Sequence, residues 1–155
     1  MPATQGAVTA PQTVVAVDAT YLQTLLGYNA RRVSLQAIEL FNQRMAEYEL
    51  SPVDFSVLSL IGHNPGITSR QLCSALNLLP PNLVGKISVM EKRDLLVRQP
   101  HPEDGRAIGL YLTAGGNQLM VHAEKTATAL EADVSNKLTN AEVKTLLRLL
   151  QKIYL

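Results

Sequence analysis

Hydrophobic and polar positions change period several times along this chain, and each change predicts an element. From about Asp18 to Glu49 the apolar residues Leu22, Leu25, Leu26, Val33, Ile38, Phe41, Met45 and Tyr48 recur at helical intervals, which predicts one long or bent helix. Ser51-Pro52-Val53-Asp54 marks the next start: serine as N-cap, proline at the first helical position, aspartate against the positive helix end. Asn64-Pro65-Gly66 reads as a turn, and Thr68-Ser69-Arg70-Gln71 as a capping box opening another helix. Pro80-Pro81 lets a third helix begin near Pro81, where a missing N–H costs nothing. Between Ser51 and Gly116 lie three short amphipathic segments, SPVDFSVLSLIGHN, TSRQLCSALN and PPNLVGKISVMEKRD. They are followed by LLVRQPHPEDGRAIGLYLTAGG, two apolar-rich runs around the tip Glu103-Asp104-Gly105-Arg106, which predicts a β-hairpin. Thr113 caps a further long helix with the stripe Met120, Ala123, Ala127, Leu130, Val134 and Leu138. Thr139 and Glu142 form a last capping box, ahead of Val143, Leu146, Leu147, Leu149, Leu150, Ile153 and Tyr154.

The resulting fold class is mainly α with a small β-hairpin wing. Three helices and a hairpin in this order make a winged helix-turn-helix, whose third helix enters the DNA major groove. At roughly 100° per residue, Leu83, Val84, Ile87 and Met90 share one face of that helix and are expected to pack inward. The opposite face carries Pro81, Asn82, Gly85, Ser88, Val89 and Lys92, flanked by Lys86 and Arg93. Asn82, Lys86 and Ser88 can hydrogen-bond base edges or phosphates, Gly85 permits close backbone approach, and Val89 can meet a thymine methyl. Arg106, at the hairpin tip, suits the negative potential of a narrow minor groove. Asp104 is expected to orient Arg106 rather than touch phosphate, and Arg70 and Arg98 to position the protein on the backbone.

Met90-Glu91-Lys92-Arg93-Asp94-Leu95-Leu96-Val97-Arg98, then Asp104-Gly105-Arg106, then Leu112-Thr113-Ala114-Gly115-Gly116, together resemble the MarR family of bacterial transcription regulators. The resemblance covers roughly residues 20 to 155. Two departures stand out: Asp94 replaces the usual glycine, and Gly85 and Val89 stand where many relatives carry arginine. The resemblance implies a dimeric MarR-like architecture. Residues 1–17 are then a flexible N-terminal arm, 18–50 a dimerisation helix, 51–112 the winged helix-turn-helix lobe, and 113–155 the C-terminal dimerisation helices. It implies double-stranded DNA with an inverted-repeat operator as partner, together with a homodimer. It also implies a small organic acid effector, often aromatic or phenolic, held between the DNA-binding lobe and the dimer helices. Such a pocket needs aromatic walls and a cation. Tyr28, Arg31 and Arg32 on the first helix, His63 at the end of the second and Tyr111 on the wing strand are the candidates. The alternative is that the first helix and the last two simply close the monomer's own core.

Composition bounds these readings. A chain of 155 residues is one domain's worth, and 46% apolar against 17% charged residues excludes a disordered polyelectrolyte. A net charge of +1 would not by itself suggest nucleic acid, so the pattern carries that claim. A single cysteine, Cys73, excludes an intramolecular disulfide framework and fits a reducing, cytoplasmic setting. Flanked by Leu72 and Leu76, it reads as a small core residue. No apolar run reaches the roughly 18 residues of a membrane span, and Val14-Val15-Ala16-Val17 is short for a signal peptide. No catalytic constellation is present and no cofactor is expected. His63, His101 and His122 lack metal-ligand spacing. The expected function is therefore a sequence-specific DNA-binding regulator, a repressor released by a small aromatic or phenolic acid. The alternatives are a thiol- or metal-responsive regulator, or a winged-helix protein-interaction module that does not read DNA.

Overall fold

The computed structural model describes residues 16–101, 103 and 105–155, so the expectations for residues 1–15 and for Asp104 lie outside the described residues. The chain divides into two compact units, residues 1–34 and 35–155.

The first unit corrects the expectation of one long or bent helix, because the helix is broken rather than bent. A single turn, α1 (Thr20–Gln23), is separated by Thr24 and Leu25 from α2 (Leu26–Arg44). Side chains compete with the helical ladder at the break. The Thr24 hydroxyl donates to the Tyr21 carbonyl at 2.7 Å, and the Asn29 amide donates to the carbonyls of Gln23 and Leu25 at 2.8 Å each.

In the second unit the long helix ends at Arg44, and one 3-10 turn (Ala46–Tyr48) follows, with Glu49 left-handed at φ 52°. Helix α3 (Pro52–His63) starts as its sequence predicts. Ser51 Oγ accepts from Asp54 N–H at 3.2 Å, and the Asp54 carboxylate accepts from Ser51 N–H at 3.1 Å. Thr68 and Gln71 close the same reciprocal box at the head of α4 (Ser69–Leu76). Helix α5 (Pro80–Lys92) begins one residue earlier than the prolines suggest.

The wing is β2 (Leu96–Pro100) and β3 (Ile108–Leu112), antiparallel, with Leu96 opposite Leu112 and Pro100 opposite Ile108. The sequence reading missed a third strand, β1 (Ile67–Thr68), which pairs with β3 and gives the order β1-β3-β2. Gly109 makes that pairing possible, because a Cβ there would stand 2.9 Å from the Gly66 carbonyl oxygen. Helix α6 (Ala114–Val134) follows the cap at Thr113, and α7 (Asn140–Tyr154) follows the Thr139–Glu142 box. Leu138, placed by periodicity on the α6 stripe, lies beyond that helix's end.

The core sits inside the winged lobe. Val57, Leu58 and Ile61 of α3, Leu72 of α4, and Leu83, Ile87 and Met90 of α5 meet Leu95, Leu96 and Leu110 there, with Met120 and Ala123 of α6 against them. Each fully buried aliphatic side chain contributes on the order of 1.5–3 kcal/mol, so α5 is anchored by its inner face alone.

Candidate nucleic-acid interface

Three buried residues, Leu83, Ile87 and Met90, fix which way α5 faces. Turning outward from them leaves Pro81, Asn82, Gly85, Val89 and Lys92 exposed and Ser88 half-buried, as the helical wheel predicts. Val84 corrects the wheel. It was expected to pack inward but is 55% exposed, because it lies roughly 90° from the centre of the buried face. No Cβ added to Gly85 would meet any atom within 4 Å, so the middle of this face is open.

The basic groups are held in different ways. Lys86 Nζ donates to Asp54 Oδ1 at 2.8 Å, tying α5 to the head of α3. Burial would raise the Asp54 pKa. Hydrogen bonds from Lys86 and Ser51, together with the Lys86 charge, outweigh it and hold the carboxyl below its ordinary 3.8. Arg98 on β2 grips Glu91 bidentately, at 2.9 and 3.0 Å. Arg93 faces the body of the lobe and donates to the carbonyls of Glu49 and Tyr48 at 2.8 and 2.9 Å. Arg70 is exposed on α4, at the rim of a cavity of about 230 Å³ that Cys73, Pro80, Leu83 and Val84 also line. Cys73 is half-buried against the core, in keeping with a packing role.

At the wing, His101 N–H donates to the Ala107 carbonyl at 2.9 Å and closes the base of the loop. Arg106 is exposed near its tip. Asp94, at the departure from glycine, is left-handed with φ 55° and turns the chain from α5 into β2. That conformation is what glycine serves without cost.

The effector candidates fall into two groups. In the first unit Tyr28 is half-buried and Arg31 and Arg32 are exposed, at successive helical positions that point about 100° apart. In the second, His63 Nε2 lies 3.0 Å from Glu124 Oε1, the oxygen that also accepts from Ser59 Oγ at 2.8 Å. Tyr111 is half-buried on β3 opposite Val97. No charged residue is buried among the described residues. Neither the Ser59–Glu124–His63 cluster nor the Lys86–Asp54 pair was found from sequence, since their partners are far apart in the chain. Among the described residues no group of three or more His, Cys, Asp or Glu could hold a metal ion. No helix among them is long and apolar enough to cross a membrane.

Against known proteins, the sequence profile of the MarR family matches residues 48–107, from the 3-10 turn through the wing loop. A Thauera aromatica protein assigned as a transcriptional regulatory protein for the hcr operon is 29% identical, over 83% of this chain and 78% of its own. The transcriptional repressor CouR, solved bound to a 23-mer DNA duplex, is 34% identical over 89% of this chain and 98% of its own, with a TM-score of 0.82. CouR solved bound to p-coumaroyl-CoA aligns at 32% identity, over 89% and 97%, with a TM-score of 0.78. The likeness covers the winged lobe and extends well beyond it. This chain belongs to the MarR family of winged-helix transcriptional regulators.

Proposed function

We propose that this protein is a homodimeric, sequence-specific DNA-binding repressor released by a small aromatic acid or its thioester. One observation carries the reading: α5 is anchored by its inner face and open along its outer face, in a chain 34% identical to a repressor solved on DNA. In this reading Pro81, Asn82, Gly85, Ser88 and Val89 face the major groove, with Lys86 at the edge of that face. Arg106 enters the minor groove, oriented by Asp104, and Arg70 and Arg98 sit on phosphates. The dimer is supported by α7, where Leu146, Leu147, Leu149, Ile153 and Tyr154 are all exposed. A twofold partner covers them, and the operator is an inverted repeat with half-site centres about 10 bp apart.

For the effector, the ligand bound by CouR offers a guide. A buried free carboxylate requires a buried cation. A coenzyme A thioester leaves the acyl end uncharged and carries its negative charge on the phosphates of the CoA moiety, which exposed Arg31 or Arg32 suit. Tyr28 stands beside them for the ring. The ligand releases DNA to the extent that it binds the DNA-incompetent spacing of the two lobes more tightly.

A gel shift with the region upstream of the gene itself tests the core of this reading. A specific complex at nanomolar protein, dispersed by an aromatic acyl-CoA or the free acid, is the expected result. No specific complex with that or any selected duplex overturns it. In calorimetry, Arg31→Ala or Arg32→Ala, not both equally, abolishes ligand-induced release and leaves operator binding within a few-fold. Undiminished ligand affinity in both variants removes these arginines from the site.

A further inference from the structure

We infer that α5 reads its operator chiefly through methyl groups, with Val84 and Val89 each seated on the C5-methyl of a thymine. This rests on the DNA-binding reading above and specifies what that site recognises.

The first turn of α5 offers no free backbone amide to a base or phosphate: Pro80 and Pro81 have no N–H, and Asn82 N–H is already bonded to the Leu79 carbonyl at 3.0 Å. Its N-cap, Leu79, provides no side-chain oxygen. Lys86 is engaged by Asp54 and Arg93 by the carbonyls of Tyr48 and Glu49. Asn82 and Lys92 remain as exposed polar side chains on the outer face, with Ser88 half-buried.

What α5 offers instead is two branched apolar side chains. Val84 and Val89 are 55% and 56% exposed, flanking a surface centred on Pro81 and Gly85. Val84 also edges the cavity beside Cys73, Pro80 and Leu83, yet more than half of each valine faces solvent, and the open space over Gly85 lets the helix come close enough for short side chains to reach. On the major-groove edge of a base pair the apolar group is the thymine methyl. Five residues put the two valines about 7.5 Å apart along the helix and about 140° apart around it, so they flank the outer face and meet different base pairs. Each half-site therefore carries two A·T pairs, and each valine meets one methyl.

Duplexes selected from a random pool by the full-length protein supply the site without prior assumption. The expected consensus has two such A·T pairs in each half-site. Replacing each thymine singly by deoxyuridine removes only the methyl. Affinity is expected to fall about fourfold per methyl, the loss of one buried CH₃, and to stay unchanged at replacements outside the site. Val84→Ala becomes indifferent to uracil at one of the two positions and Val89→Ala at the other, with thermal unfolding of both variants unaltered. Selection of a defined site whose affinity is insensitive to every thymine-to-uracil change overturns the methyl reading and leaves the repressor standing. No enrichment of any sequence overturns both.

Discussion

The winged lobe and the last helix use the same local devices and end in opposite states. In the lobe, α3 and α4 open with reciprocal capping boxes and α3, α4 and α5 all deliver apolar faces to one core. Helix α7 opens with an identical box, Thr139 with Glu142, yet buries none of its residues, and Ile153 is 64% exposed. Capping decides where a helix starts. An apolar partner decides whether it is stable, because an isolated helix of this length is marginal in water. The lobe carries its partner within the chain, and among the described residues nothing buries α7.

The hardest test of that contrast is a core truncation. Leu58→Ala, at a fully buried position, is expected to lower the unfolding free energy by about 2–5 kcal/mol. The loss should be the same at every protein concentration if the lobe is self-sufficient. Charges on the last helix should behave differently. Leu146→Asp with Ile153→Asp should shift sedimentation from dimer to monomer at micromolar protein and remove the concentration dependence of the melting temperature. A stable wild-type monomer at that concentration would remove the contrast altogether.

Arg106→Ala acts on the lobe's outer surface. Operator affinity should weaken by about 1–3 kcal/mol with little change in melting. Intact affinity with a large drop in melting would make Arg106 a structural residue.

Asp54→Asn should cost about 0.5–2 kcal/mol at neutral pH, the scale of a lost cap. The sign with pH follows from its lowered folded pKa. Its stabilisation is fully present above the unfolded value, near 3.8, and disappears as pH falls through the folded value. Urea titrations between pH 5 and about pH 2 should therefore show a steeper acid loss in the parent than in Asp54→Asn.

What the sequence disclosed was local. Ser51 with Asp54, Thr68 with Gln71 and Thr139 with Glu142 are three residues apart, and each was readable without knowing the fold. Asp94 was legible as a turn because the family's glycine implies the left-handed backbone it adopts. The outer face of α5 followed from periodicity, except Val84, which sits on the margin where a wheel does not decide burial. The break at Thr24–Leu25 was hidden because two side chains outcompete a helical ladder whose apolar spacing continues across it. Strand β1 is two residues long and exists only because β3, much later in the chain, pairs with it. Lys86 and Asp54 are joined through the packing of α5 on the lobe, which no short-range spacing encodes. A wheel fixes faces, not cavities, and the spacing of Tyr28, Arg31 and Arg32 does not state what stands opposite them.

The Thr113 hydroxyl donates to the Asp94 carbonyl at 2.6 Å and accepts from Gly116 N–H at 2.9 Å, while Thr113 N–H donates to the Leu95 carbonyl at 3.1 Å. A Cβ on Gly116 would collide with that same Leu95 carbonyl, so the joint is tightly packed. In mechanical terms it is the base of a long lever. Helix α6 extends 21 residues from it, about 31 Å, so a turn of about 10° at the joint sweeps the far tip through about 5 Å. At that far end Arg44 Nη2 stands 2.7 Å from Asp133 Oδ2, so the tip of α6 is tied to the end of α2.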